Sequence, residues 1–267
     1  MTSPRVTGAR SHLGTIVAVA VCAYAACDMI HEVLGHGTAA WISPRVEALS
    51  LTTVALQTSR ASRVVAAAGT FANLVAGVVA LWLARRRGRF DATRYFLWLL
   101  GAVNLLNAAG YFLFSAILGI GDWAVVMTGL APEAVWRIGM GIVGAIAYTA
   151  VIFVVGGDLA SAVVQGGLAS EEVPRLITPA YFAGALLLMA GAAMNTISPW
   201  LILTSGASTG FGAMAGLLAL PAFVERRTRG TTGGGYVAAS RAWIVAGVLV
   251  AIVFVVVIGH GIPLKPL

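Results

Sequence analysis

Apolar runs of about bilayer-spanning length follow one another along almost the whole chain, and this pattern decides what it can fold into. A helical span needs about 20 mostly apolar residues, because in hydrocarbon each backbone N–H and C=O has to be satisfied within the segment. Seven segments qualify: residues 14–41, 62–84, 95–118, 135–155, 180–196, 209–224 and 243–259. No stretch between them is long enough for a separate folded domain, so residues 1–267 read as one integral membrane domain. Composition agrees, with 59% hydrophobic and 10% charged residues, where a soluble domain carries about a quarter charged. The expectation is an all-α polytopic membrane protein of about seven transmembrane helices, six to eight depending on how residues 180–224 divide. Asn195, Ser198, Pro199 and the stretch from Ser205 to Gly210 interrupt that region, leaving two short spans or one broken, re-entrant unit.

The net charge of +7 is no nucleic-acid footprint, because the arginines sit in short loops between apolar runs, where they act as topology signals. With a cytoplasmic N-terminus, the inner side holds Arg5, Arg10, Arg85, Arg86, Arg87, Arg89, Arg94, Arg175, Arg226, Arg227, Arg229 and Arg241. The outer side holds Arg45, Arg60, Arg63, Arg137 and Lys265, the first three being the dissenting loop. This asymmetry favours two separate spans at 180–196 and 209–224, and a multi-pass cell-membrane protein. The alanine- and glycine-rich composition suits a bacterial membrane. Arg5 and Arg10 resemble a signal-peptide n-region, but the following segment runs past a typical h-region and carries Asp28, His31 and Glu32, so a retained first helix is expected. Cys22 and Cys27 are five residues apart on that helix, a poor geometry for a disulfide. The 32 glycines read as close-packing positions, Thr231 to Gly235 as a flexible loop, and Trp41, Trp98, Trp123 and Trp243 as interfacial anchors.

Chemistry concentrates in His31-Glu32-Val33-Leu34-Gly35-His36, inside the first span. Ionisable groups are costly at membrane depth and mark functional sites by default. Two neutral imidazoles can ligate a metal, and an adjacent carboxylate can take a proton from water, which is what a hydrolytic zinc site needs. The usual helical motif places its histidines at i and i+4 on one face. Here the spacing is one residue longer, and on a regular helix His31 and His36 would point about 140° apart. A wide, π-type turn absorbs an extra residue, and Gly35 is the residue best able to accommodate it, so a wide turn is predicted over Val33 to Gly35. The competing arrangement is a regular helix with Asp28, Glu32 and His36 in one stripe, suited to a proton or metal-ion pathway in a non-enzymatic transporter or channel.

A catalytic zinc requires a third protein ligand. Asp122 follows the third span and, by span parity, faces the same side as the outer half of the first, so it is the expected third ligand. Asp158 falls at the opposite end and reads as an ordinary helix-end charge. Asn73, in the second span, either bonds a neighbouring helix or holds a substrate carbonyl, and Asp28 is an outer-shell candidate. Asn104 and Asn107 face the same choice with the structural role ahead, and His260 reads as a solvated tail residue.

His31 to His36 on the first span, Ala68-Gly69-Thr70-Phe71-Ala72-Asn73-Leu74 on the second and an aspartate after the third resemble the site-2 protease family of intramembrane zinc metalloproteases. The resemblance covers residues 14–125 and implies a three-helix metalloprotease-like core there, with additional transmembrane helices over 134–260. It implies zinc held by His31, His36 and Asp122, Glu32 as catalytic base and proton shuttle, and a membrane-embedded or membrane-proximal peptide substrate. The chain departs from the family in its longer histidine spacing, a form also found in the soluble dipeptidyl-peptidase III family. It also lacks the Asn-Pro-x-Asp-Gly context around the aspartate and places the site towards the outer face. A metal-binding pseudoprotease is a further alternative.

Overall fold

The computed structural model describes residues 10–231 and 234–264. Arg5, Lys265 and part of the Thr231–Gly235 run therefore lie outside the described residues. Seven helices are long and apolar enough to cross a membrane. We label them with the intervening elements as α1 (Leu13–Ile42), β1 (Ala48–Leu51), β2 (Leu56–Thr58), α2 (Arg63–Arg86), α3 (Ala92–Leu118), a short α4 (Asp122–Met127), α5 (Glu133–Val164), α6 (Val173–Ala193), α7 (Ile202–Arg227), α8 (Arg241–Ile258) and β3 (Ile262–Pro263). The region of residues 180–224 thus forms two separate helices, both longer than the apolar pattern implied.

Helix ends follow local chemistry. Ser62, Asp91 and Ser240 cap α2, α3 and α8 with side-chain oxygens that accept the N–H groups of Val65, Arg94 and Trp243. Gly119, at φ 68°, ends α3 in the left-handed conformation that glycine adopts without a Cβ penalty.

The first three helices pack on one another, and α1 also meets α6 and α8. Glycines set the closest crossing. A Cβ at Gly35 would lie 2.5 Å from Gly69 Cα, so α1 and α2 approach backbone to backbone beside His31 and His36. Helix α3 is the buried centre, with 67% of its apolar window covered, against 17% for α5 and 11% for α8, whose exposed valines, isoleucines and leucines suit lipid. Trp98 belongs to this interior rather than to an interfacial belt: it is 2% exposed and donates to the Val155 carbonyl. Trp41, near the end of α1, is 86% exposed.

One element lies outside the all-α expectation. Residues 48–58 form an antiparallel hairpin, extended by β3 into a three-stranded sheet of order β2-β1-β3. The signal was present in the β-branched, alternating run Leu49 to Thr58, masked by the spans around it. The sheet closes the end of the bundle at which α1 and α3 finish and α2 begins.

Candidate metal centre

Ile30–Gly37 is π-helical, continuous with regular helix on both sides. The i→i+5 repeat brings His31 and His36 to the same side, their rings edge to face with centroids 4.7 Å apart. The wide turn predicted at Val33 to Gly35 lies within this segment. A regular-helix stripe of Asp28, Glu32 and His36 is not what forms.

Asp122 reaches the histidines from the other side of the bundle. Gly119 and Gly121 both have positive φ, at 68° and 78°, and reverse the chain between α3 and α4 so that Asp122 opens α4 facing α1. Trp123 pins this short helix by donating its Nε1–H to Thr70 at 2.9 Å and packing on Phe112. Asp122 Oδ2 then stands 2.8 Å from His31 Nε2 and 3.4 Å from His36 Nε2.

The other ring nitrogens are committed. His36 Nδ1–H donates to the Val65 carbonyl at 2.6 Å, and His31 Nδ1–H donates to Asn73 Oδ1 at 2.6 Å. In its neutral form each imidazole would present an Nε2 lone pair to the same carboxylate oxygen. Three acceptors facing one another repel, so the arrangement calls for a proton or a metal cation among them. Their ligating atoms all fall within 4.8 Å of one another, so His31, His36 and Asp122 can hold a metal ion. Ligands 2.0–2.1 Å from a tetrahedral zinc lie roughly 3.4 Å apart, close to the His36–Asp122 separation and somewhat wider than the His31–Asp122 one.

Glu32 is 5% exposed and lines a cleft of about 360 Å³ together with His36, Asp122, Tyr111, Thr204 and Trp200. One of its oxygens, Oε2, accepts the Leu56 N–H at 2.6 Å, so the first residue of β2 orients the carboxylate. Tyr111, which sequence reasoning passed over, stacks on His31 with ring centroids 4.7 Å apart. It lies on α3 at i+4 from Asn107 and i+7 from Asn104, a polar stripe legible in the sequence of a spanning helix.

Two expected roles need correction. Asn73 is fully buried behind His31 and does not line the cleft. Its Nδ2 donates to the Cys27 carbonyl and to Asn104 Oδ1, and its Oδ1 accepts from His31 and Asn107, so no group is left for a substrate carbonyl. Asp28 is not the outer-shell partner: among the described residues it makes no hydrogen bond or ion pair, and its Oδ2 is buried without a partner. Asp158 bonds Arg85 at the far end of the bundle, as a helix-end charge would. Cys22 and Cys27 are both free thiols, and His260 is exposed.

Comparison with protein-family models, curated proteins and solved structures returns no match.

Proposed function

We propose that the protein is an intramembrane zinc metallopeptidase of site-2 protease type, hydrolysing peptide bonds of membrane-embedded or membrane-proximal substrates. The observation that carries this reading is the convergence of two imidazole lone pairs and one carboxylate oxygen beside a buried glutamate that lines a cleft. His31, His36 and Asp122 would hold the zinc, whose chemistry is to make water nucleophilic near neutral pH and to polarise a carbonyl. Two histidines and a carboxylate fit zinc better than calcium or magnesium, which prefer all-oxygen sites.

Glu32 is placed to take a proton from water in the cleft and return it to the leaving amine. The Leu56 N–H bonds the carboxylate by one oxygen, which restrains its rotation while the other oxygen remains for proton transfer. The substrate enters as locally unwound chain, because a peptide bond in a regular helix is shielded by its own hydrogen bonding. The positive-inside rule puts the arginine-rich helix ends in the cytoplasm and the metal centre towards the opposite face of a cell membrane. The rival reading, an ion or proton pathway along Asp28, Glu32 and His36, was drawn on a regular helix; Asp28 lies on one, whereas Glu32 and His36 lie on the π-helical Ile30–Gly37.

Metal analysis of the purified protein, paired with hydrolysis of a quenched fluorescent apolar peptide, tests the reading. Wild type is expected to hold about one zinc per chain. Glu32→Gln keeps that zinc and lowers turnover by about 10²–10⁴-fold. Wild type without zinc, or undiminished cleavage by Glu32→Gln, rejects the assignment; zinc without any cleavage points to the pseudoprotease.

A further inference from the structure

The proton on His31 Nδ1 is dictated from a distance. The Leu100 carbonyl can only accept, and it takes a hydrogen bond from Asn104 Nδ2 at 2.8 Å. The Asn104 amide therefore turns its oxygen the other way, to Asn73 Nδ2 at 2.7 Å. That same Asn73 nitrogen donates to a second backbone acceptor, the Cys27 carbonyl, at 3.1 Å. Asn73 must then point its oxygen at His31, where it meets Nδ1 at 2.6 Å, while Asn107 Nδ2 donates to the same oxygen at 3.2 Å. Neither Asn73 nor Asn104 can turn over without setting donor against donor or acceptor against acceptor. Asn73 and Asn104 are fully buried, so an unmatched pair would go unrelieved by water. Asn107, 2% exposed, has its own oxygen buried without a partner, as expected of an amide held by its donor bond alone.

The two histidines thus differ in how their tautomers are fixed. His36 uses one backbone carbonyl, that of Val65. His31 uses a relay that runs through α2 into α3 and ends on the Leu100 backbone. Helix glue alone would explain buried asparagines that bond a neighbouring helix. It does not explain a one-way order of donors ending on a metal-ligating ring.

We propose that Asn104, which hydrogen-bonds to none of the three ligands, is a positioning residue that tunes the metal affinity of His31 by reinforcing, together with the Cys27 carbonyl and Asn107, the orientation of Asn73. The inference rests on the metal-centre reading above. In Asn104→Leu, similar in volume, Asn73 Nδ2 loses the nearer of its two acceptors and keeps only the longer bond to the Cys27 carbonyl, so Oδ1 is held on His31 less firmly. The ring is then held less firmly in the tautomer that offers Nε2 to the metal.

Zinc titration against a competing chelator tests this on full-length wild type and Asn104→Leu. The expected result is an affinity loss of about 10–100-fold in Asn104→Leu, with the thermal midpoint of the zinc-free protein little changed. Unchanged affinity in a folded Asn104→Leu overturns the proposal alone, whereas wild type that binds no zinc removes the metal centre and the proposal with it. A second measurement needs no variant. ¹⁵N spectra of histidine-labelled, zinc-loaded wild type should show the His31 proton on Nδ1 and the metal on Nε2; coordination through Nδ1 overturns the relay.

Discussion

The two ends of the bundle are built differently. At the arginine-rich end, where α2 finishes and α3 begins, the described parts of the spanning helices are α-helical apart from a short 3₁₀ lead-in to α6 and a 3₁₀ stretch, Ala215–Ala219, in α7. Conventional contacts hold that end, such as the Arg85–Asp158 pair and the Ser11–Glu172–Arg175 cluster. All three π-helical segments among the described residues, Ile30–Gly37, Ile202–Ala213 and Val253–Ile258, fall in the opposite half, with the sheet and the short α4. Regular helix is the cheapest way to satisfy a backbone in lipid. Departures from it cluster where side chains must be re-aimed, which is where the histidines, Glu32 and Asp122 meet. One end is organised for topology, the other for chemistry.

The largest effect that tests this contrast comes from removing a ligand. His36→Ala leaves two protein ligands and an unfilled space against Val65, and zinc should fall from about one per chain to near none. Elemental analysis reads this directly. Retention of stoichiometric zinc would mean that the convergence of His31, His36 and Asp122 is an ion cluster of another kind.

Glycine substitutions give the next largest effect and compare the two ends by the same chemical change. A Cβ at Gly69 would lie 2.5 Å from His31 Nε2, the atom proposed to ligate the metal. Gly69→Ala therefore either pushes the ring away or parts α1 from α2, at about 1–3 kcal/mol for overpacking. If that cost falls on the metal-bound form, zinc affinity should drop by about 5–150-fold, by the arithmetic that 1.4 kcal/mol is a factor of ten. At Gly157, towards the arginine-rich end of α5, a Cβ meets nothing within 4 Å. Gly157→Ala should leave both zinc binding and the melting temperature essentially unchanged, so equal losses in the two variants would erase the contrast.

A smaller effect is expected at the sheet. Leu56 is the first residue of edge strand β2, where proline is tolerated, and its N–H bonds Glu32 rather than β1. Leu56→Pro removes that single donor. Zinc content should hold, while kcat falls about tenfold, the equivalent of about 1.5 kcal/mol for a hydrogen bond to a charged group. A rise in kcat would instead show the hairpin restraining Glu32 from its task.

How much of this was legible beforehand follows the same division. Hydropathy revealed seven spans because apolar length is a one-dimensional property, although helix ends were misjudged wherever polar residues continue a helix, as at Gly156 to Val164. The wide turn was legible from one surplus residue between two histidines that have to share a face. Asp122 was legible from span parity and the ligand count. Asn73 was left between two roles because nothing local tells an amide facing a cleft from one facing two other helices; only the placement of Cys27, Asn104 and Asn107 decides it. The hairpin had a local signal in Leu49 to Thr58 that the surrounding spans masked, whereas its third strand was hidden because β3 pairs with β1 from more than 200 residues away, and such a pairing leaves no local periodicity to read.

The smallest expected effect lies at the arginine-rich end. Arg85 makes a two-pronged bond to Asp158, Nε to Oδ1 at 2.9 Å and Nη2 to Oδ2 at 3.1 Å, with 53% of the arginine side chain exposed. An ion pair that open to water contributes less than about 1 kcal/mol. Arg85→Ala should therefore lower the thermal midpoint only slightly, and added salt should shrink the difference further. Zinc affinity and peptide hydrolysis should match wild type, because neither residue of the pair bonds to anything that holds His31, His36 or Asp122. A loss of zinc comparable to that of Gly69→Ala would mean that the α2 and α5 ends transmit their packing along the full length of the bundle. The separation between an end for topology and an end for chemistry would then give way to a single mechanical unit.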